Sequence, residues 1–252
     1  MFENALDGKI VLVTGASRGI GAAIAVACAR AGADVAVGYV QNREGAERTV
    51  ASILGLGRQA AAFEADVSDP DQVARMVRAV VEHFGRIDAL VNNAGIMPES
   101  PLLEMSVEEW KRVIDVDLTG AFLCTREVVP AMVERGEGAI INIASRLGQI
   151  GFPGVAHYSA AKAGVIGLTK ALAKELGPKG VRVNAVAPGV TVTDMAAEVM
   201  QGEVGRRRLA ELPAGRFAVP EDVAASVVFL LSEAASMYYG QTLAPNGGGY
   251  MA

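Results

Sequence analysis

At 252 residues the chain is long enough to bury one large core, and an α/β sheet of that length reads as a single domain over 1–252. Its 29 glycines, few aromatics and an apolar share dominated by Ala, Val, Ile and Leu suit helices packed closely on both faces of a parallel sheet. A formal charge of −5 argues against nucleic acid as the main partner, and no apolar run approaches the roughly 20 residues that span a bilayer. Cys28 and Cys124 fall within helical patterns as small buried thiols, so no disulfide framework is expected and a reducing cytoplasm fits. The start, Met1-Phe-Glu-Asn-Ala-Leu-Asp7, lacks the basic and apolar blocks of a secretory signal. The expectation is a soluble cytoplasmic protein with no membrane span and no metal site.

Short apolar runs alternate with helical patterns from end to end. Residues 9–14 read as a buried strand and 18–31 as a helix ending at Gly32. Residues 34–38 form the second strand and 44–54 the next helix, stopped by Gly55 and Gly57. After a third strand at 59–64, Asp69-Pro70-Asp71 supplies an N-cap, a first-turn proline and a first-turn carboxylate for a helix to Phe84. Strand four is 88–91, and a long helix over 106–135 opens with a capping box of Ser106 and Glu109. Strand five at 139–144, a second long helix at 155–176 and strand six at 181–186 follow. The methionine-rich stretch 191–217 is the one connection long enough to act as a lid over a site. Pro220 opens a last helix to Leu231, and 241–244 closes the sheet. Strand–helix alternation with short connections specifies a Rossmann-type, doubly wound parallel sheet.

Two places carry chemistry. The first strand runs into Thr14-Gly15-Ala16-Ser17-Arg18-Gly19-Ile20-Gly21 and then a helix. Glycines there let backbone approach a pyrophosphate at the positive helix N-terminus. NAD recognition usually takes an acid at the end of the second strand, and this end reads Val37-Gly38-Tyr39-Val40 without one. Arg18 and Arg43 stand where a 2′-phosphate would be met, which favours NADP(H) and leaves NAD(H) open. Asp66, after strand three, either accepts from an adenine amine or caps a turn.

The second place is Ser145, followed thirteen residues later by Tyr158 and four after that by Lys162. Four residues is about one helical turn, so the phenol and the ammonium share a face. A phenol ordinarily ionises near about pH 10, and a lysine beside it is expected to lower that value. With Ser145 holding a substrate oxygen, the three groups move a proton to or from an oxygen, the counterpart of a hydride transfer.

In order along the chain, Thr14–Gly21, Asn92-Asn93-Ala94-Gly95, Ser145, Tyr158-x3-Lys162 and Pro188-Gly189 resemble the short-chain dehydrogenases/reductases. The resemblance runs from Gly8 to Asn246-Gly247-Gly248 and implies a seven-stranded Rossmann sheet. It implies Tyr158 as acid/base, Ser145 as carbonyl anchor, and Lys162 on the nicotinamide ribose. The cofactor would meet Gly15, Ser17, Arg18, Gly19, Ile20, Gly21, Tyr39, Arg43, Asp66, Val67, Asn93, Ala94, Gly95, Tyr158, Lys162, Pro188, Gly189, Val190, Thr191 and Thr193, with Asn92 nearby. It also implies a homotetramer built through helices 106–135 and 155–176. Within the family, Tyr39, the run Val183-Asn184-Ala185-Val186-Ala187-Pro188-Gly189 and the tail Gly240-Gln241-Thr242-Leu243 resemble the 3-oxoacyl-(acyl carrier protein) reductases. The implied substrate is a 3-oxoacyl thioester on acyl carrier protein or CoA, reduced with NADPH. A sugar or small secondary-alcohol dehydrogenase, and a catalytically impaired dinucleotide-binding regulator, are the alternatives.

One position departs from the family. Where its tetrad carries asparagine, this chain has Asp117 in Val116-Asp117-Leu118-Thr119-Gly120. The backbone carbonyl used in the relay is kept. An added negative charge would hold Lys162 as ammonium and cancel part of its field at Tyr158. His157, about 100° round the helix from Tyr158, reads as a surface or interface histidine. Met97, Leu147, Phe152, Val190, Met195 and Met200 either line an apolar substrate pocket or fill core. Lys179 and Arg135 either receive an acidic carrier or complement helix C-termini, the latter favoured. Arg206-Arg207-Arg208 either grips a phosphopantetheine or CoA phosphate or forms a solvated helix face.

Overall fold

The computed structural model describes residues 4–193, 200 and 202–251. Seven parallel strands form one sheet in the order β3-β2-β1-β4-β5-β6-β7. They are β1 (Ile10–Val13), β2 (Asp34–Tyr39), β3 (Ala60–Glu64), β4 (Ala89–Asn92), β5 (Gly138–Ile143), β6 (Val181–Val186) and β7 (Thr242–Leu243). Each falls within one or two residues of the run that predicts it. The strand order reverses between β1 and β4, so a crevice opens at their C-terminal ends, the place where doubly wound sheets bind ligands.

Both faces are covered, which is why these strands read as continuous apolar runs. Alternation along β1 sends Val11 and Val13 to one layer and Leu12 to the other. The first layer packs on α1 (Gly19–Arg30) and α9 (Pro220–Leu231), with α2 (Arg43–Leu54) beside them. The second packs on α3 (Pro70–Phe84), α5 (Gly120–Arg135) and α7 (Ala156–Leu176). Cys28 and Cys124 are buried free thiols, one in each layer, and burial pushes both up to about 12.

Local signals fix the helix starts. The Asp69 carboxylate accepts from the N–H groups of Asp71 and Gln72 at 2.9 and 3.2 Å, and the Ser106–Glu109 capping box is complete. The expected long helix over 106–135 is interrupted, however. α4 (Val107–Ile114) passes through a π-helical turn, Asp115–Thr119, before α5 begins. Such a turn inserts one residue into the helical ladder and is frequent at functional sites. Two short α-helices have no counterpart in the sequence reading: α6 (Leu147–Ile150), and α8 (Gly202–Ala210) within the stretch expected to be a lid. Among the described residues no helix is long and apolar enough to cross a membrane.

Candidate active site

Ser145 stands two residues past β5, where its Oγ accepts the Leu147 N–H at 3.1 Å and so starts α6. α6 lies directly on α7: a Cβ at Gly148 would stand 2.6 Å from the Lys162 carbonyl carbon. That close approach carries Ser145 to α7, near enough to Tyr158 that its hydroxyl lowers the phenol pKa. Tyr158 is buried in an apolar cluster with Val113, Val155 and Ala161, against which Met97 and Leu147 pack. Lys162, one turn on, is also buried; its Nζ donates to the Ile143 carbonyl at 3.0 Å and lies 5.5 Å from the Tyr158 ring centroid.

The π turn delivers the third charged group. Asp117 is buried, and its Oδ2 sits 3.2 Å from Lys162 Nζ while Oδ1 accepts the Ile96 N–H at 2.8 Å. The Oδ2 contact is an ion contact off the hydrogen-bond line, leaving that oxygen with no hydrogen-bond partner among the described residues. Gly95 makes room for the pair, since a Cβ there would stand 2.8 Å from Oδ2. Burial raises the Asp117 pKa, with Lys162 opposing. Burial also disfavours the Lys162 ammonium, but Asp117 and Tyr158 outweigh it and the lysine ends raised.

Lys162 does lower the Tyr158 phenol, as expected, but burial outweighs it. Burial raises it first, Lys162 pulls it down, and Asp117 returns part of that pull, so the phenol ends above its ordinary value. A correction concerns His157, which is fully buried rather than at a surface. Helix α7 starts at Val155 with no side-chain cap, and the imidazole Nδ1 turns back to accept the Tyr158 N–H at 2.8 Å. The imidazole thereby steadies the first turn on which Tyr158 stands. Asn92 is used behind the site: its Nδ2 donates to Asn142 Oδ1 at 2.8 Å and to Thr125 Oγ1 at 3.0 Å. Asn142 in turn donates to Thr169 Oγ1 at 2.9 Å, so a buried polar ladder joins β4, β5 and α7.

The glycine loop lies at the next strand end. Gly15 and Gly19 have φ of +64° and +56°, a region that disfavours side chains. A Cβ on Gly21 would stand 2.3 Å from the Gly15 carbonyl oxygen, so α1 is pressed onto the loop. Asn93 fixes the loop from β4 by donating from Nδ2 to the carbonyls of Thr14 at 2.9 Å and Gly15 at 3.1 Å. The N–H groups of Asn93 and Ala94 reach Thr14 Oγ1 at 3.0 and 3.1 Å. Helix α1 begins after Arg18 with no side-chain cap and no first-turn acid, which suits an anion at its N-terminus. Ser17 and Ile20 belong to the same loop. Across the crevice, the Thr193 methyl lies 3.5 Å from where a Gly19 Cβ would be. The segment carrying Pro188, Gly189, Val190 and Thr191 is anchored by the Pro188 carbonyl, which accepts the Arg146 N–H at 3.0 Å, and by a bridge from Thr191 to Ala218. The residues present therefore fit a dinucleotide, with positive-φ glycines and an uncapped helix start where its phosphates would pass.

At the end of β2, register supplies what the local sequence lacks. Tyr39 pairs with Glu64 of β3, and its hydroxyl donates to the Glu64 carboxylate at 3.2 Å. Arg43 is exposed and donates to Glu47 at 3.0 Å. The carboxylate of Glu64, missed because it comes from a neighbouring strand, thus shares this corner. Asp66 caps the turn after β3: its Oδ1 accepts from Ser68 N and Oγ at 3.0 and 2.6 Å, and Oδ2 pairs with Arg112 at 3.1 Å. Val67 packs under Gly120, the first residue after the π turn.

Of the residues considered for a substrate pocket, Met97 and Leu147 touch the Tyr158 cluster, and Phe152 is 44% exposed. Val190 and Met200 are partly buried, and Met195 lies outside the described residues. Arg135 is tied to the Ile87 carbonyl at 2.7 Å, and Lys179 sits in the short turn after α7.

With the sheet order, the glycine loop and the Ser145–Tyr158–Lys162 cluster in place, the chain belongs to the short-chain dehydrogenase/reductase family and is an NAD(P)-dependent oxidoreductase. A family profile described as enoyl-(acyl carrier protein) reductase matches residues 15–250. The 3-oxoacyl-(acyl-carrier-protein) reductase FabG of Staphylococcus aureus is 46% identical over 243 residues, 96% of this chain and 98% of that protein. A 3-oxoacyl-(acyl-carrier-protein) reductase of Synechocystis is 47% identical over 245 residues, 97% of this chain and 98% of the relative. Among solved structures, one described as a candidate NAD(P)-dependent gluconate 5-dehydrogenase from Beutenbergia cavernae, with NADP at low occupancy, superposes with a TM-score of 0.92. It is 42% identical and covers 98% of each chain.

Proposed function

We propose that the chain reduces a 3-oxoacyl thioester with NADPH, Tyr158 giving the proton. The observation that carries this reading is that Ser145, Tyr158 and Lys162 are all buried at one end of the sheet, with Lys162 Nζ 5.5 Å from the Tyr158 ring centroid. NADPH, when bound, supplies the hydride to the carbonyl carbon. Ser145 donates a hydrogen bond to the carbonyl oxygen and holds it against the Tyr158 O–H, which transfers its proton there as the alkoxide forms. A raised phenol pKa keeps Tyr158 protonated at neutral pH, as a proton donor must be. Lys162 binds the nicotinamide ribose and presents its charge to the phenol, while Asp117 and the Ile143 carbonyl fix where that charge stands. The glycine loop with Asn93, Ala94 and Gly95 holds the dinucleotide on one side, and 188–193 closes on it from the other. Holding both reactants this way turns a bimolecular encounter into a positioned one.

The names of the 46–47% identical relatives support an acyl thioester, on acyl carrier protein or CoA. NADP(H) over NAD(H) rests on Arg18 and Arg43, with Glu47 and Glu64 as opposing charges at the same corner. The likeness to a candidate gluconate dehydrogenase favours a second reading, oxidation of a sugar or secondary alcohol by the same residues in reverse. A regulator without turnover is the third, favoured by the Lys162–Asp117 ion pair.

Parallel assays of NADPH and NADH oxidation with acetoacetyl-CoA test the reading. It expects turnover, with kcat/KM at least about tenfold higher for NADPH, the order of one charge-assisted phosphate contact. Oxidation of gluconate with no reduction of acetoacetyl-CoA would install the second reading, and cofactor binding with no turnover on either would install the third.

A further inference from the structure

Arg146 directly follows Ser145, and burial lowers its pKa, with the nearby Arg208 cation lowering it further and Glu211 opposing. Its Nη1 donates to the Gly249 carbonyl at 3.3 Å. A Cβ on Gly249 would stand 2.6 Å from that Nη1 and 2.7 Å from Leu212 Cδ2, so the guanidinium is wedged where the C-terminal turn meets the segment after α8. From α8, Arg208 lays its own guanidinium 4.8 Å from the Phe152 ring centroid, on the same 145–154 segment that carries Ser145. Among the described residues neither arginine forms a salt bridge, and Glu211 is already 3.7 Å from Arg207. Two like charges beside an apolar wall, one of them half-buried, cost free energy that an oxyanion would return. Guanidinium groups also match carboxylate and phosphate geometry.

We propose that Arg146 and Arg208 form an oxyanion-binding subsite at the mouth of the Ser145–Tyr158 site, selecting carbonyl substrates tethered to a carboxylate or a phosphate. The inference rests on the reductase reading above and deepens it. The shared chemistry has two sources, a carboxylate on the substrate itself or the phosphates of a CoA or phosphopantetheine carrier. Arg207, exposed and 3.7 Å from Glu211, stands outside it.

Steady-state kinetics with three carbonyl substrates separate these sources: acetoacetyl-CoA, the uncharged acetoacetyl-N-acetylcysteamine thioester, and free acetoacetate. Arg146→Gln and Arg208→Gln are each expected to raise KM about tenfold for an anionic substrate, while changing kcat/KM for the uncharged thioester less than about twofold. Loss on acetoacetyl-CoA alone assigns the subsite to carrier phosphate; loss on acetoacetate assigns it to carboxylate. Turnover of the uncharged thioester reports that each variant is folded, and Arg207→Gln serves as the charge-matched control. Equal losses on charged and uncharged substrates, no loss on any, or an equal loss in Arg207→Gln would overturn the subsite while leaving the reductase standing. A wild-type protein inert toward all three would overturn the reductase reading and the subsite with it.

Discussion

A carboxylate 3.2 Å from the lysine that faces Tyr158 alters how that lysine acts. With asparagine at 117, the family's residue, Lys162 would present its field to the phenol undivided. Asp117 takes a share: it raises the lysine and also raises the phenol. The sign of an Asp117→Asn change follows directly. Removing the carboxylate lowers the Tyr158 pKa, so the phenolate needed for alcohol oxidation appears at lower pH and the phenol needed for reduction is lost at lower pH. Both pH–kcat/KM profiles are expected to move in the acid direction, and profiles that stay in place would show that the carboxylate does not reach Tyr158. Buried ion pairs often return little net stability, so tuning is the stronger reason for this pair. The sequence makes the substitution plain, but the ion pair depends on the π turn and on Gly95 leaving space, neither of which residue spacing reveals.

Among the elements, α4 and α5 are the least satisfied by the chain's own packing. Leu103 before α4 is 99% exposed, and Val107, Trp110 and Phe122 are exposed along the two helices. Several large apolar groups left exposed on neighbouring elements mark a candidate interaction face. We propose that this face pairs with a second copy within a homotetramer. Light scattering is expected to give four times the 26.1 kDa chain mass, and Phe122→Asp is expected to lower that mass. A wild-type monomer would refute it. The start of α4 is legible because Ser106 and Glu109 cap it reciprocally, a strictly local device. Its interruption is not, because one inserted residue leaves the apolar spacing on either side helical. α6 is four residues long, too short for any period to register, yet its contact through Gly148 is what brings Ser145 to α7.

At the scale of the whole molecule, the sheet is legible because strands buried on both faces must be apolar throughout, and the turn chemistry between them is local. The Ser145–Tyr158–Lys162 cluster is legible because four residues is one turn. What escapes the sequence depends on contact between distant segments. Glu64 reaches Tyr39 only through β2–β3 register, His157 is buried with its Nδ1 accepting the Tyr158 N–H, and Arg208 comes within electrostatic range of Arg146 from α8, over Phe152. The central claim is that Tyr158 supplies the proton for carbonyl reduction, and its most direct test is kcat for NADPH-dependent reduction of acetoacetyl-CoA in wild type and Tyr158→Phe. Loss of a positioned general acid costs about 10²–10⁴-fold, so a fall in kcat of that size with cofactor affinity retained is expected. A Tyr158→Phe protein that turns over within about tenfold of wild type would contradict the account.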